Sequence, residues 1–148
     1  MSEFATSSLA FDGFEIFYIQ MKYKDKGSNA ERELLHIFWS KGWACLRSAG
    51  SGSMKYPGPD LLVGNKLRRL AIECKVTKEK KKYLDTYDIK QLREFCDIFG
   101  AEPWFAVKFS RMNWLFLSLE DIEKTEKGYV IDSKVAERRG LLIDELIK

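Results

Sequence analysis

The stretch from Pro59 to Lys75, Pro-Asp-Leu-Leu-Val-Gly-Asn-Lys-Leu-Arg-Arg-Leu-Ala-Ile-Glu-Cys-Lys, constrains the fold more than any other part of the chain. Asp60 opens a short apolar run, Leu61 to Val63, and Gly64-Asn65-Lys66 supplies turn residues. Leu70, Ile72, Cys74 and Val76 then alternate with Ala71, Glu73 and Lys75, the period-two pattern of a strand with one buried face. A hairpin turning near Lys66 and Leu67 sets Asp60 opposite Glu73, with Lys75 on the same face as Glu73. Directly opposed residues have Cβ atoms about 5 Å apart, and two facing carboxylates repel unless positive charge lies between them. A divalent cation is the natural occupant. The alternative is a surface salt-bridge cluster on a solvated face, because an acid followed at a distance by Glu-x-Lys is a loose pattern.

The flanking segments supply more groups of the same kind. Ser28-Asn29-Ala30-Glu31 fits a helix-opening capping box, and Leu34, Leu35 and Phe38 form the apolar stripe behind it. Glu31 lies three, four and seven residues before that stripe, so it points along the inward face. Either it caps the helix or it is an inward acid that needs a partner. A short strand, Trp43 to Arg47, leads into the small-residue loop Ser48 to Ser53. Such a loop exposes backbone N–H groups and hydroxyls and suits a phosphate backbone, or else is a flexible connector.

Downstream, Lys78-Glu79-Lys80-Lys81-Lys82 reads as a solvated loop with phosphate binding as the alternative. A second helix is expected from Asp85 or Thr86, with Ile89, Leu92, Phe95, Cys96 and Phe99 inward, Lys90 and Gln91 off the stripe, and Gly100 as its stop. Pro103 to Phe109 and Trp114 to Leu117 read as strands whose aromatics belong to the core or a subunit contact. A helical turn at Leu119 to Ile122, an edge strand at Tyr129 to Ile131 and a closing helix at Leu141 to Ile147 follow. The element order predicts an α/β (α+β) fold, a central mixed β-sheet flanked by helices.

Composition narrows the function classes. The chain has 148 residues, 45% hydrophobic and 32% charged, which predicts one domain with a full core. Residues 1–20 read as an N-terminal extension to a domain spanning 21–148, and Met21 is a second plausible start. A net charge of +3 permits nucleic-acid binding without demanding it. Cys45, Cys74 and Cys96 are widely spaced without a CxxC pair, against both a disulfide framework and a zinc ribbon. The single histidine, His36, argues against a His-rich metal site and a Ser-His or Cys-His catalytic pair. With no long apolar run and no signal-peptide pattern, an intracellular protein without a membrane span is expected.

Three carboxylates and a lysine converging on one volume suit metal-assisted attack on a phosphodiester. Oxygen ligands favour Mg²⁺ or Mn²⁺, acting as one ion or as two about 4 Å apart. Lys75 then orients the water or stabilises the transition state.

These residues carry a resemblance. Pro59-Asp60 with Glu73-Cys74-Lys75 resembles the PD-(D/E)xK signature of the restriction-endonuclease-like nucleases. Lys26-Gly27 with Ala30-Glu31-Arg32-Glu33-Leu34, Gly42 leading into Arg47-Ser48-Ala49-Gly50-Ser51, Pro59-Asp60-Leu61 with Gly64-Asn65, and Phe99-Gly100-Ala101 leading into Val107-Lys108-Phe109 resemble the archaeal Holliday junction resolvase family. The likeness runs from about Lys22 to the C-terminus.

That resemblance implies a restriction-endonuclease-like core and a homodimer that nicks opposing strands of four-way DNA junctions near the crossover, with Mg²⁺ as cofactor and Mn²⁺ as substitute. It implies catalytic roles for Glu31, Asp60, Glu73 and Lys75, with Glu31, Asp60, Glu73 and the Cys74 carbonyl as metal ligands. DNA contacts are expected from Arg32, Arg47, Ser48, Ser51, Ser53 and Lys55, with Lys80 and Lys81 from the basic run. A cytoplasmic, nucleoid-associated enzyme without a small-molecule substrate follows. Residues 1–20 have no recognised counterpart in the family, and Ser53 to Gly58 is longer than in some members. The alternatives are a related nuclease cutting other DNA and a non-catalytic DNA-binding scaffold of the same fold.

Overall fold

A computed structural model describes residues 29–48 and 55–148. Ser28, Ser51, Ser53 and the N-terminal extension lie outside the described residues. Helix α1 (Asn29–Ser40) leads through Gly42, at φ 83°, into β1 (Ala44–Arg47). β2 (Leu61–Gly64) and β3 (Arg69–Thr77) form the expected hairpin, followed by β4 (Lys81–Leu84), α2 (Thr86–Phe99), β5 (Glu102–Phe109) and β6 (Leu115–Leu117). A 3₁₀ turn (Leu119–Asp121), β7 (Glu123–Lys124), β8 (Tyr129–Asp132), α3 (Ser133–Arg139) and α4 (Ile143–Leu146) complete the chain.

The main sheet has the order β1-β2-β3-β5-β6, antiparallel throughout except for the central β3–β5 pair, which is parallel. It is the mixed sheet that the element order predicts. Asn65 sets the hairpin: its Oδ1 accepts from both Leu67 N and Arg68 N at 2.8 Å, an arrangement that short amides favour in turns. The register pairs Leu61 with Ile72 and Val63 with Leu70.

β3 is buried on both faces, a correction to the single buried face expected from its alternation. Leu61, Val63, Leu70 and Ile72 pack with Leu34 and Phe38 of α1 and with Phe116. On the opposite face Ala71, Phe105 and Val107 pack with Ile89 and Leu92 of α2, and with Ile131 and Ala136. A central strand with a parallel neighbour is covered by helices on both sides, so small Ala71 takes a core position that its sequence pattern assigned to the polar face. Burial stops at Glu73, and the C-terminal end of β3 opens towards solvent.

Helix α2 starts where expected. Asp85 caps it by accepting from Asp88 N at 3.0 Å, and Gly100 ends it at φ 84°. Its inward face differs at two positions. Gln91 is buried, whereas Phe99 is exposed and stacks on Phe95 with ring centroids 5.3 Å apart.

Four further expectations are corrected at the C-terminal half. β4, β8 and β7 form a second sheet in that order, so Lys81 and Lys82 lie on a strand and not in a loop. β8 is its centre, not an edge. Helix α3 arises where none was expected, and the closing helix begins only at Ile143. Leu141 instead bridges to Phe116, its N–H donating to the Phe116 carbonyl at 2.9 Å.

All three cysteines are free, and burial pushes the Cys45 thiol up to about 12 and the Cys96 thiol up to about 11. No helix among the described residues is long and apolar enough to cross a membrane.

Candidate active site

The β2–β3 register, continued by one pair, sets Asp60 against Glu73 at the point where sheet burial ends. Asp60 Oδ2 accepts from Cys74 N at 2.8 Å, which ties the first acid of the motif to the backbone of the second. The Asp60 carbonyl accepts from Ser48 N at 2.9 Å, anchoring the end of β1 to the same point. Both acids are nearly enclosed, Asp60 9% and Glu73 7% exposed.

Enclosed carboxylates carry an electrostatic cost. Burial, then the nearby Asp60 charge, push the Glu73 carboxyl up to about 8, against the opposing pull of Lys75 and of the Gln91 amide beside it. Glu31 is also raised, by burial and by Asp60, although Arg47 Nε lies 3.2 Å from its Oε2 and holds it back. Lys75 Nζ sits 3.7 Å from Asp88 Oδ1 of α2.

Glu31, Asp60, Glu73, Cys74 and Lys75 all line one cavity of about 330 Å³, together with Tyr56, Gly58, Tyr87, Asp88 and Gln91. The expected catalytic constellation is thus assembled from α1, the β2 entry and β3. Arg47 joins it through Glu31, and Arg32 acts on the Glu31 charge from the same helix. Lys55 lies on the surface beside the cavity, its Nζ 5.8 Å from the Tyr56 ring centroid. Lys81 instead opens β4 of the second sheet, and Lys80 lies in the bend just before it. The Lys80 carbonyl accepts from Ser133 N at 2.8 Å, and Lys81 Nζ is 3.9 Å from Asp132.

Sequence reasoning missed the contribution of α2. Tyr87 and Asp88 lie four and three residues before Gln91, spacings that set each of them on one helix face with Gln91, beside the Ile89–Leu92 stripe. A polar set at that spacing, on the first helix after the motif strand, was the available signal.

Among the described residues, no three His, Cys, Asp or Glu side chains are gathered at metal-binding separations. The donors nevertheless fit a hard divalent cation. They are carboxylate oxygens, and the two nearly enclosed acids Asp60 and Glu73 face each other across the β2–β3 pair, where a cation would offset their repulsion. The Cys74 thiol is not a ready ligand, since burial and the Asp60, Glu31 and Glu73 charges hold it well above its ordinary value. Any donor at that position is the peptide carbonyl.

A family model described as archaeal Holliday junction resolvase (hjc) matches residues 22–148. The crossover junction endodeoxyribonuclease Hjc of Archaeoglobus fulgidus is 43% identical over 112 residues, covering 76% of this chain and 82% of the relative. The Methanocaldococcus jannaschii protein of the same name is 40% identical over 114 residues, covering 77% and 80%. The crossover junction endodeoxyribonuclease Hje of Saccharolobus solfataricus is 34% identical over 103 residues, covering 68% and 76%. The 1.6 Å structure of Archaeoglobus fulgidus Hjc, a Holliday junction resolvase from an archaeal hyperthermophile, superposes with a TM-score of 0.75 at 42% identity, covering 79% of this chain and 94% of the other. With a family model spanning residues 22–148 and a relative 43% identical over 76% of the chain, the chain belongs to the archaeal Holliday junction resolvase family.

Proposed function

We propose that the protein is a structure-selective, Mg²⁺-dependent endonuclease that resolves four-way DNA junctions by paired phosphodiester hydrolysis near the crossover. The observation that carries this reading is the convergence of Glu31, Asp60, Glu73 and Lys75 on one cavity in a chain of this family. Glu31, Asp60, Glu73 and the Cys74 carbonyl would hold Mg²⁺, or Mn²⁺ in its place. When bound, the cation activates water and neutralises charge on the phosphate. Lys75, facing the same cavity, orients the attacking water or meets the developing negative charge, and Asp88 fixes where its ammonium rests.

Arg32, Arg47, Ser48 and Lys55 surround the acids and serve as phosphate contacts, with Lys80 and Lys81 extending the basic surface. Binding dominated by such contacts weakens steeply with salt and reads DNA shape in preference to base sequence. In this reading the enzyme works on the nucleoid.

Resolution takes two cuts, and the described residues of one chain hold one such cluster of acids, so a homodimer completes the enzyme. Its contact is the apolar side of β1 and β2 at the end of α2. Trp39, Leu46, Leu62 and Phe99 there line an open concavity of about 670 Å³, and Ile98 beside Phe99 is 81% exposed. Apolar side chains gathered on one exposed face favour contact with a second copy there.

The test is Asp60→Ala. Cleavage of a synthetic four-way junction is expected to vanish while junction binding in a gel-shift assay persists. Retained Mg²⁺-dependent cleavage, or lost binding by a folded variant, would contradict the assigned role. A non-catalytic scaffold has no use for buried acids facing DNA, which disfavours that alternative.

A further inference from the structure

Gln91 is a polar side chain that folding buries at the wall of the active-site cavity, 7% exposed. Its Oε1 accepts from Gly58 N at 2.9 Å. Its side chain also faces the Glu73 carboxyl in the wall of the same cavity and pulls against that carboxyl's raised titration. With the amide oxygen engaged by Gly58, the amide NH₂ is the group left to face the carboxylate.

The two partners lie on different limbs of the site. Gly58 precedes Pro59 and Asp60, and a proline ring fixes the backbone between them, so a shift at Gly58 is carried into Asp60. Glu73 is the acid of the facing strand. One side chain from α2 therefore spans the entry to β2 and the carboxylate of β3.

Resting on the nuclease reading above, we propose that Gln91 is a positioning residue, which holds the Asp60 limb and the Glu73 carboxylate in register for a divalent cation. It contacts neither the cation nor DNA. An amide suits this position because it supplies a donor and an acceptor without charge. A carboxylate there would add negative charge beside Glu73, which already faces Asp60 and Asp88. A lysine or arginine would compete with the cation for both acids. With the Gly58 hydrogen bond made, the burial costs little, and loss of the amide leaves Gly58 N without this acceptor and Glu73 without a donor facing it. Asp88, three residues earlier on the same helix face, performs a separate task at Lys75.

Gln91→Met tests this in the full chain, since methionine keeps the volume and helix preference but lacks the amide. Three quantities are read: junction cleavage rate against Mg²⁺ concentration, the rise in melting temperature on adding Mn²⁺, and junction binding without divalent cation. The Mg²⁺ concentration for half-maximal rate should rise about ten-fold, in the range seen when groups supporting metal ligands are removed. The Mn²⁺-induced rise should shrink, and cation-free binding should stay within about two-fold of the parent, since phosphate contacts that carry it lie elsewhere.

An unchanged Mg²⁺ requirement together with an unchanged Mn²⁺ response overturns the proposal. If Gln91→Met fails to fold, Gln91→Asn, which keeps the amide on a shorter stem, takes its place. A raised Mg²⁺ requirement in that variant supports the proposal and a parental one overturns it. The parent protein separates the two levels: no Mn²⁺ response and no cleavage there sinks the nuclease reading itself, whereas a normal parent beside an unaltered variant sinks only the role of Gln91.

Discussion

Folding places the Glu73 charge where burial and Asp60 both oppose it, and this has a measurable consequence. Its carboxyl stands at about 8 against an ordinary 4.5, so in the cation-free protein the folded state holds a proton that the unfolded chain releases. The contribution from neutral Glu73 is fully present below about pH 4.5 and is lost as pH rises through about 8. Urea unfolding in EDTA should therefore show stability falling across that window, by on the order of 2–4 kcal/mol from this group. Glu73→Gln should remove most of the fall, leave the variant more stable than the parent at pH 8.5, and abolish cleavage. A parent whose stability rises between pH 5 and 8, with Glu73→Gln no different, would contradict this account. The Asp60–Glu73 pairing was legible because Asn65 and the apolar alternation together set one register. Gln91 and Asp88 were not, because a polar residue beside a helix stripe looks solvated until the end of a neighbouring strand is known to lie over it.

Elements were legible in proportion to their length and to the local chemistry of their ends. Helix α2 announces itself through Asp85 and Gly100, and both act as written. Gly100 sits at φ 84°, and a Cβ there would meet nothing closer than the Arg69 guanidinium at 3.7 Å. Gly100→Ala should thus cost about 1 kcal/mol through backbone conformation alone, with cleavage unchanged, as chemical denaturation and a junction assay can show. The second sheet was invisible by contrast. β7 has two residues, β4 is a lysine-bearing edge strand, and β8 gains its central place only by pairing with β4, far back along the chain, as well as with nearby β7. Lysines on an exposed edge look like a solvated loop, and on a strand they also discourage pairing with other chains. Helix α3 is seven residues with four charges, too short and too polar for an apolar period to emerge.

For the whole molecule, the sheet carries the acids at the C-terminal end of β3, while the open apolar concavity lies along β1 and β2 by the end of α2. Composition indicated one domain, and the structure adds that its two faces hold separate clusters of core residues on either side of one sheet. The dimer reading makes Phe99→Glu a selective lesion. Sedimentation velocity should show a monomer that remains folded, and junction products should shift from paired cuts to slow single nicks. A dimeric Phe99→Glu variant would place the contact elsewhere.

The most direct test of the central claim is cleavage of a synthetic four-way junction and a linear duplex of matched sequence, each with and without Mg²⁺. The proposed function predicts paired nicks near the crossover of the junction, only with Mg²⁺, and little or no cutting of the duplex. Equal cutting of both would make the enzyme a nuclease without junction selectivity, and no metal-dependent cutting of either would contradict the nuclease assignment outright.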